Sequence, residues 1–260
     1  MDIEKAVASI IEAEKSKVPI APLTSSEQSI SVDDAYQIQL GIVRDKLNQE
    51  AKIVGKKIGL TSKAMQEMLN VNEPDYGHIF DDMVYKNNAS IAIDQYIEPR
   101  IEFEIAFVLK KDLKGPGVTA EDVKKATDYV VPAFEIIDSR IKDWKIKFED
   151  TVADNGSSAG IILGDQHTAV EEIDLPEVDM TVYRNDTFLD AATGAAVMGN
   201  PLDAVAWLAN AIGSYDITLH AGEVILAGAL SKAIPIEDGD TFRADFSIGT
   251  VSASFYKGGS

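Results

Sequence analysis

Hydrophobic positions in the first 48 residues recur every three to four places, at Ile3, Val7, Ile10 and Ile11 and again at Ile38, Leu40, Ile42, Val43 and Leu47. This spacing predicts two amphipathic helices, one over residues 2–16 and one capped by Ser31 with Asp34 three places on. Ser62 caps a third, short helix over Lys63 to Asn70, and Asn72 to Gly77 reads as a turn. From about residue 80 the pattern changes to strands. Apolar or alternating runs cover Ile101 to Leu109, Tyr129 to Ile137, Ile161 to Leu163, Val178 to Asn185, Glu223 to Leu226, Thr241 to Ile248 and Thr250 to Tyr256, with glycine or aspartate between several of them. Pro132 suits the beginning of its strand, because proline has no N–H to give to a ladder. Two helices interrupt the strands, one capped at Thr119 over Ala120 to Asp128 and one over Leu202 to Ile212 after Pro201. The predicted class is α+β: a mixed, β-rich core over residues 79–260 with peripheral helices, and a helical N-terminal part over residues 1–78 packed on it as one composite domain.

Composition narrows the classes of function. A chain of 260 residues with 45% hydrophobic residues can fill one large core. No run of about 20 apolar residues exists. The N-terminus opens with Asp2, Glu4 and Lys5 instead of a basic segment before an apolar one, so a cytoplasmic protein is expected. A formal charge of −19 opposes binding to nucleic acid or anionic membranes, which leaves a small molecule as the expected partner. With no cysteine, thiolate metal sites and cysteine nucleophiles are excluded. His78, His167 and His220 lack zinc-motif spacing, so any metal must rely mainly on oxygen ligands, which suits Mg²⁺ or Mn²⁺.

Candidate chemistry lies where charges interrupt apolar runs. In Ile101, Glu102, Phe103, Glu104, Ile105 the period of two sends both glutamates to one face of a strand, and Glu135 is the one charge in the run Val130 to Ile137. If these carboxylates are buried, their repulsion requires a cation or a bound proton. The alternative is that they form the solvent face of an amphipathic strand. In Gly55, Lys56, Lys57, Ile58, Gly59, Leu60, Thr61, Ser62 the spacing is wrong for a phosphate-binding loop. A buried strand there must turn one of the two lysines inward, to move a proton or hold an anion, whereas an exposed strand leaves both solvated. Asp75 sits in the turn Glu73, Pro74, Asp75, Tyr76, Gly77, His78, where an aspartate also serves as a simple turn-former. Thr61 and Ser62, the hydroxyl of Ser157 in the small-residue loop Asp154 to Gly160, and the backbone around Gly228 and Leu230 complete the candidate substrate contacts.

Taken in order, the segments GKKIGLTS, EPDYGHIFDDM, IEPRIEFEIAFVLKKDL, VVPAFEIIDSRI, DTVADNGSSAG, GNPLDAVAWLAN and ILAGAL resemble the 2-keto-4-pentenoate hydratase and 4-oxalocrotonate decarboxylase branch of the fumarylacetoacetate hydrolase superfamily, over essentially residues 30–255. The resemblance implies a rolled mixed sheet and a divalent metal, Mg²⁺ or Mn²⁺, held by Glu102, Glu104 and Glu135. It also implies Lys57 and Asp75 as the catalytic pair, 2-oxo acid substrates from aromatic-ring catabolism, and a homo-oligomer of five or ten subunits. Two activities share these features, hydration of 2-hydroxy-2,4-dienoates and decarboxylation of 4-oxalocrotonate. Among hydratases the SKAMQ and EPDYG segments are similar to enzymes acting on the seven-carbon diacid, 2-oxohept-4-ene-1,7-dioate, and the short DWKIKFEDTVADN link is similar to monoacid hydratases and, less closely, to the decarboxylases. The expectation is a hydratase of the five-carbon 2-hydroxypenta-2,4-dienoate. Acyl carbon–carbon hydrolysis is disfavoured, since no histidine precedes His78. A noncatalytic metal or small-molecule binding protein is the alternative of a different class, and the lysine–aspartate pair beside the metal ligands argues against it.

Overall fold

A computed structural model describes residues 2–25 and 29–258. In chain order its elements are α1 (Ile3–Ser16), α2 (Val32–Asn48), β1 (Ile53–Gly59), α3 (Lys63–Leu69), β2 (Asp75–Phe80), β3 (Val84–Lys86), β4 (Ala89–Ala92), β5 (Arg100–Leu109), α4 (Ala120–Ala126), β6 (Thr127–Ile137), α5 (Phe148–Ala153), β7 (Ser158–Leu163), β8 (Asp179–Arg184), β9 (Thr187–Thr193), α6 (Pro201–Gly213), β10 (Val224–Leu226), β11 (Ile234–Pro235), β12 (Thr241–Phe246) and β13 (Gly249–Tyr256). The strands form two mixed sheets. One has eight strands in the order β2-β1-β10-β5-β6-β7-β3 with β11 added to β5, and the other has five in the order β4-β13-β12-β8-β9. The expected β-rich mixed core with peripheral helices is thus present. Among the described residues no helix is long and apolar enough to cross a membrane.

The long antiparallel pair β5 and β6 lies at the centre of the larger sheet, buried on both faces over nearly its whole length. Phe103, Phe107 and Phe134 from this pair pack with Phe242 and Phe255 of the second sheet in one apolar core, while α1, α2 and α5 enclose a smaller one around Ile10, Ile38 and Val152. The predicted capping box of α2 is formed: Ser31 Oγ accepts from Asp34 N at 3.1 Å and the Asp34 carboxylate accepts from Ser31 N at 3.0 Å. Such a box satisfies two backbone donors that a helix start leaves open.

Three local expectations need correction. The helix expected to reach Asp128 ends at Ala126, because Thr127 already pairs with Leu109 as the first residue of β6. Pro132 therefore lies inside β6 and not at its start. The N–H and C=O of an antiparallel residue face the same neighbour. At Pro132 that side is the end of β7, where only the carbonyl is used, by Gly164 N at 2.8 Å. The third concerns Asp75, Tyr76 and Gly77, expected in a turn. They open β2 instead, with Asp75 opposite Gly59 of β1. The division at residue 78 falls within β2, and both β1 and β2 belong to the larger sheet.

A buried ion pair ties the segment after β6 to the segment before β7. Arg140 Nε donates to Asp154 Oδ1 at 2.6 Å, and its remaining nitrogens donate to the carbonyl oxygens of Asp154, Asp138 and Ser158. Asn155 then exchanges two side-chain hydrogen bonds with the backbone of His78, at 2.8 and 2.9 Å. Together they dock the loop carrying Gly156 and Ser157 against β2. Removing one partner of a buried pair strands the other charge, so Arg140→Met should destabilise the protein by about 3–5 kcal/mol. Urea unfolding checks this, and the double variant Arg140→Met with Asp154→Leu should recover much of the loss.

Candidate active site

Period two along β5 puts Glu102 and Glu104 on one face, and the antiparallel register sets Glu135 of β6 directly opposite Glu102. All three are buried, at 7%, 1% and 0% exposure, which rules out the solvent-face alternative. One carboxylate oxygen from each lies within 4.8 Å of the others. Glu104 Oε2 accepts from Gly228 N at 2.7 Å, but Glu104 Oε1 and both oxygens of Glu135 have no hydrogen-bond partner among the described residues. Burial and the charge of Glu135 push the Glu102 carboxyl up to about 7 and that of Glu104 well above the usual range. Burial likewise raises Glu135, opposed by Lys57. Unpartnered carboxylate oxygens converging in a site without sulfur or imidazole are a hard donor set, and they fit a divalent cation that prefers oxygen.

Both lysines of β1 are buried, on opposite faces, so the solvated alternative fails for each. Lys56 pairs with Glu223 at 3.4 Å on the side away from the triad. Lys57 Nζ lies 3.6 Å from Glu135 Oε2. Burial opposes its charge, but the carboxylates of Glu135, Asp75, Glu102 and Glu104 together outweigh that penalty and hold its pKa above the ordinary value. The β1–β2 register brings Asp75 beside it. Asp75 Oδ2 accepts from Thr151 Oγ1 at 3.3 Å, Oδ1 is without a partner, and burial raises its pKa against the pull of Lys57. Two glycines make room for this pair: a Cβ at Gly59 would overlap Asp75 Oδ1, and one at Gly156 would stand 2.5 Å from Lys57 Cε.

These groups line a cavity of about 430 Å³, a volume suited to a small ligand. Lys57, Asp75, Glu102, Thr61 and Ser157 all form part of its wall, with Glu104 and Glu135 buried next to Glu102. Three other expected contacts are not brought to it. Ser62 caps α3, accepting from Met65 N at 3.3 Å. The Gly228 amide is held by Glu104, and the Leu230 amide donates to Phe103 O at 2.9 Å. The sequence reading missed Arg100, Thr151 and Trp144 in the wall. For Arg100 a signal was present, since it shares the parity of Glu102 and Glu104 on β5. Thr151 and Trp144 come from the segment 138–157, where no periodicity marks which side chains turn inward.

The chain matches the fumarylacetoacetate (FAA) hydrolase C-terminal family over residues 41–255. It is 47% identical to a 2-hydroxyhexa-2,4-dienoate hydratase from Comamonas testosteroni over 249 residues, 95% of this chain and 94% of the relative. It is 50% identical to a 2-hydroxypent-2,4-dienoate hydratase from Pseudomonas putida over 199 residues, 76% of this chain and 90% of the relative. Among solved structures, 4-oxalocrotonate decarboxylase from Pseudomonas putida G7, complexed with magnesium and adipate, superposes with a TM-score of 0.94 at 35% identity, covering 97% of each chain. The seven sequence segments that carried the resemblance all lie inside the matched region, and the protein belongs to the fumarylacetoacetate hydrolase family.

Proposed function

We propose that the protein is a divalent-metal-dependent hydratase that converts 2-hydroxypenta-2,4-dienoate and water into 4-hydroxy-2-oxopentanoate, in the catabolism of aromatic rings in the cytoplasm. One observation carries this reading: a buried carboxylate triad with unpartnered oxygens adjoins, through Glu102, a cavity whose wall also holds a lysine and an aspartate suited to proton transfer. The hydratase relatives at 47% and 50% identity support it, and so does the magnesium in the decarboxylase structure.

Glu102, Glu104 and Glu135 would hold the cation, which when bound supplies Lewis-acid stabilisation of negative charge on the C2 oxygen of the substrate. The chain's own residues handle the protons. Ketonisation takes the enol proton from the C2 oxygen and delivers one to C5. Hydration then forms a bond from the water oxygen to C4, and a proton ends on C3. Lys57 holds an ammonium in a ring of carboxylates and is the donor; Asp75, a wall residue whose Oδ1 has no hydrogen-bond partner, is the acceptor. Thr151 keeps the other oxygen of Asp75 in place. Leu60, Met65, Ile137 and Ile146 make part of the wall apolar.

Glu104→Gln should abolish metal-dependent turnover while the circular dichroism spectrum is retained; full activity in this variant, or in chelator, would contradict the metal assignment. Asp75→Asn should slow hydration by roughly 10²- to 10⁴-fold with little change in metal affinity, the usual span for a general acid–base group. Decarboxylation of 4-oxalocrotonate, the competing reading, asks mainly for an electron sink at the C2 oxygen and should be much less sensitive to the same change. Stoichiometric carbon dioxide from that substrate, with no hydration of the dienoate, would establish the decarboxylase. The proposal includes a homo-oligomer of five or ten subunits, resting on the family resemblance. Light scattering at micromolar concentration should give five or ten times the 28.1 kDa of one chain, and a monomeric mass would count against it.

A further inference from the structure

Arg100 is a cation of the cavity wall with no role in the chemistry above. It lies two residues before Glu102 on β5, so the strand period places it on the face of Glu102 and Glu104. Its guanidinium carbon stands 4.3 Å from the ring centroid of Trp144, whose indole N–H donates to the Glu98 carbonyl at 3.1 Å. Stacking of this kind fixes the plane of a guanidinium while leaving its N–H edge open to a carboxylate. Arg140, Arg184 and Arg243 each hold a carboxylate of the protein. Arg100 holds none among the described residues, and its buried Nε has no hydrogen-bond partner. Lys57, the other cation of the wall, is already paired with Glu135.

The sheet register says which part of a ligand meets it. Lys57 of β1 is level with Leu226 of β10, and Leu226 with Ala106 of β5; one pleat along, Gly59 is opposite Asp75. Along the strand axis the backbone of Lys57 and Asp75 therefore lies toward Glu104 and Ala106, with the Lys57 ammonium reaching Glu135, and Arg100 lies at the other end of the row, beyond Glu102. This step rests on the hydratase reading, in which the carbons that exchange protons face Lys57 and Asp75. The carboxylate end of the substrate then points the other way. We propose that Arg100, held flat on Trp144, receives the C1 carboxylate of the substrate and is the residue that selects the acid end. With Arg100 committed to C1 and Lys57 to proton transfer, no lysine or arginine of the wall is left for a second carboxylate. The substrate class is a monoacid.

Calorimetric titration of the Mg²⁺-loaded protein tests this without turnover. Pyruvate carries the C1 carboxylate and almost no tail, 2-oxopentanoate adds the tail, and 2-oxohexanedioate adds a second carboxylate. Arg100→Met should weaken pyruvate and 2-oxopentanoate alike, by about 10- to 100-fold, the worth of a hydrogen bond to a charged group. Arg100→Lys, which keeps the charge and guards against a folding defect in the first variant, should recover part of that loss. In steady state the KM for the dienoate should rise far more than kcat falls. Unchanged pyruvate binding in Arg100→Met would overturn the proposal, as would a loss confined to 2-oxohexanedioate, which would put Arg100 at a distal carboxylate. Failure of wild type to bind either monoacid would also overturn it. Failure of the hydratase reading shows separately, as a wild-type protein that binds pyruvate in an Arg100-dependent way and does not hydrate the dienoate.

Discussion

Three carboxylates buried within 4.8 Å of one another are the constraint around which the larger sheet is organised. In a low-dielectric interior, like charges at that spacing repel by several kcal/mol, and each group also loses its hydration. The fold itself supplies little compensation: one backbone N–H on Glu104 and one ammonium beside Glu135. It holds the groups together by brute geometry. Glu102 and Glu104 are fixed by the pleat of β5, Glu135 by the register of β6, and both strands are anchored by phenylalanines in the core between the sheets. Such an arrangement is relieved by a proton or by a cation, and its oxygen-only donor set fits a hard divalent cation.

The same repulsion shapes the Lys57–Asp75 pair. Lys57 keeps its charge in a buried site because carboxylates surround it, so occupation of the triad by a cation would remove much of what holds the proton there. Asp75 reaches this neighbourhood only because β2 starts at Asp75 and faces a glycine on β1. The Arg140–Asp154 pair lies away from the reacting groups, yet it sets the loop that carries Gly156 over the Lys57 side chain. Stability and chemistry thus meet in the loop 154–157, where a buried ion pair, an asparagine that mimics a strand partner and a close-packed glycine follow one another.

Much of this is legible in the sequence. The period of two exposed the shared face of Glu102 and Glu104, because alternation is a local property of one strand. Glu135 was legible as a lone charge in an apolar run, but its position opposite Glu102 depends on register, which pairs residues 33 places apart. Asp75 was identified through the motif, yet its local surroundings read as a turn: proline, glycine and aspartate favour turns, and the long-range pairing with β1 outweighed that preference. Pro132 misled for the same reason, since the ladder position that tolerates a missing N–H is decided by where β7 ends. Arg100 has the parity of Glu102 and Glu104, but the stacking partner that marks it lies 44 residues away in sequence.

The most direct test of the account is the stability of wild type and Glu102→Gln by urea unfolding at pH 8, in chelator and in saturating Mg²⁺. Removing one like charge should make the variant more stable than wild type in chelator. Added Mg²⁺ should reverse the order, since a ligand at about 100 to 1,000 times its Kd adds about 3–4 kcal/mol to a protein that binds it. A wild type that is the more stable of the two in chelator, and whose unfolding midpoint does not move with Mg²⁺, would contradict the claim that the triad is built around a cation.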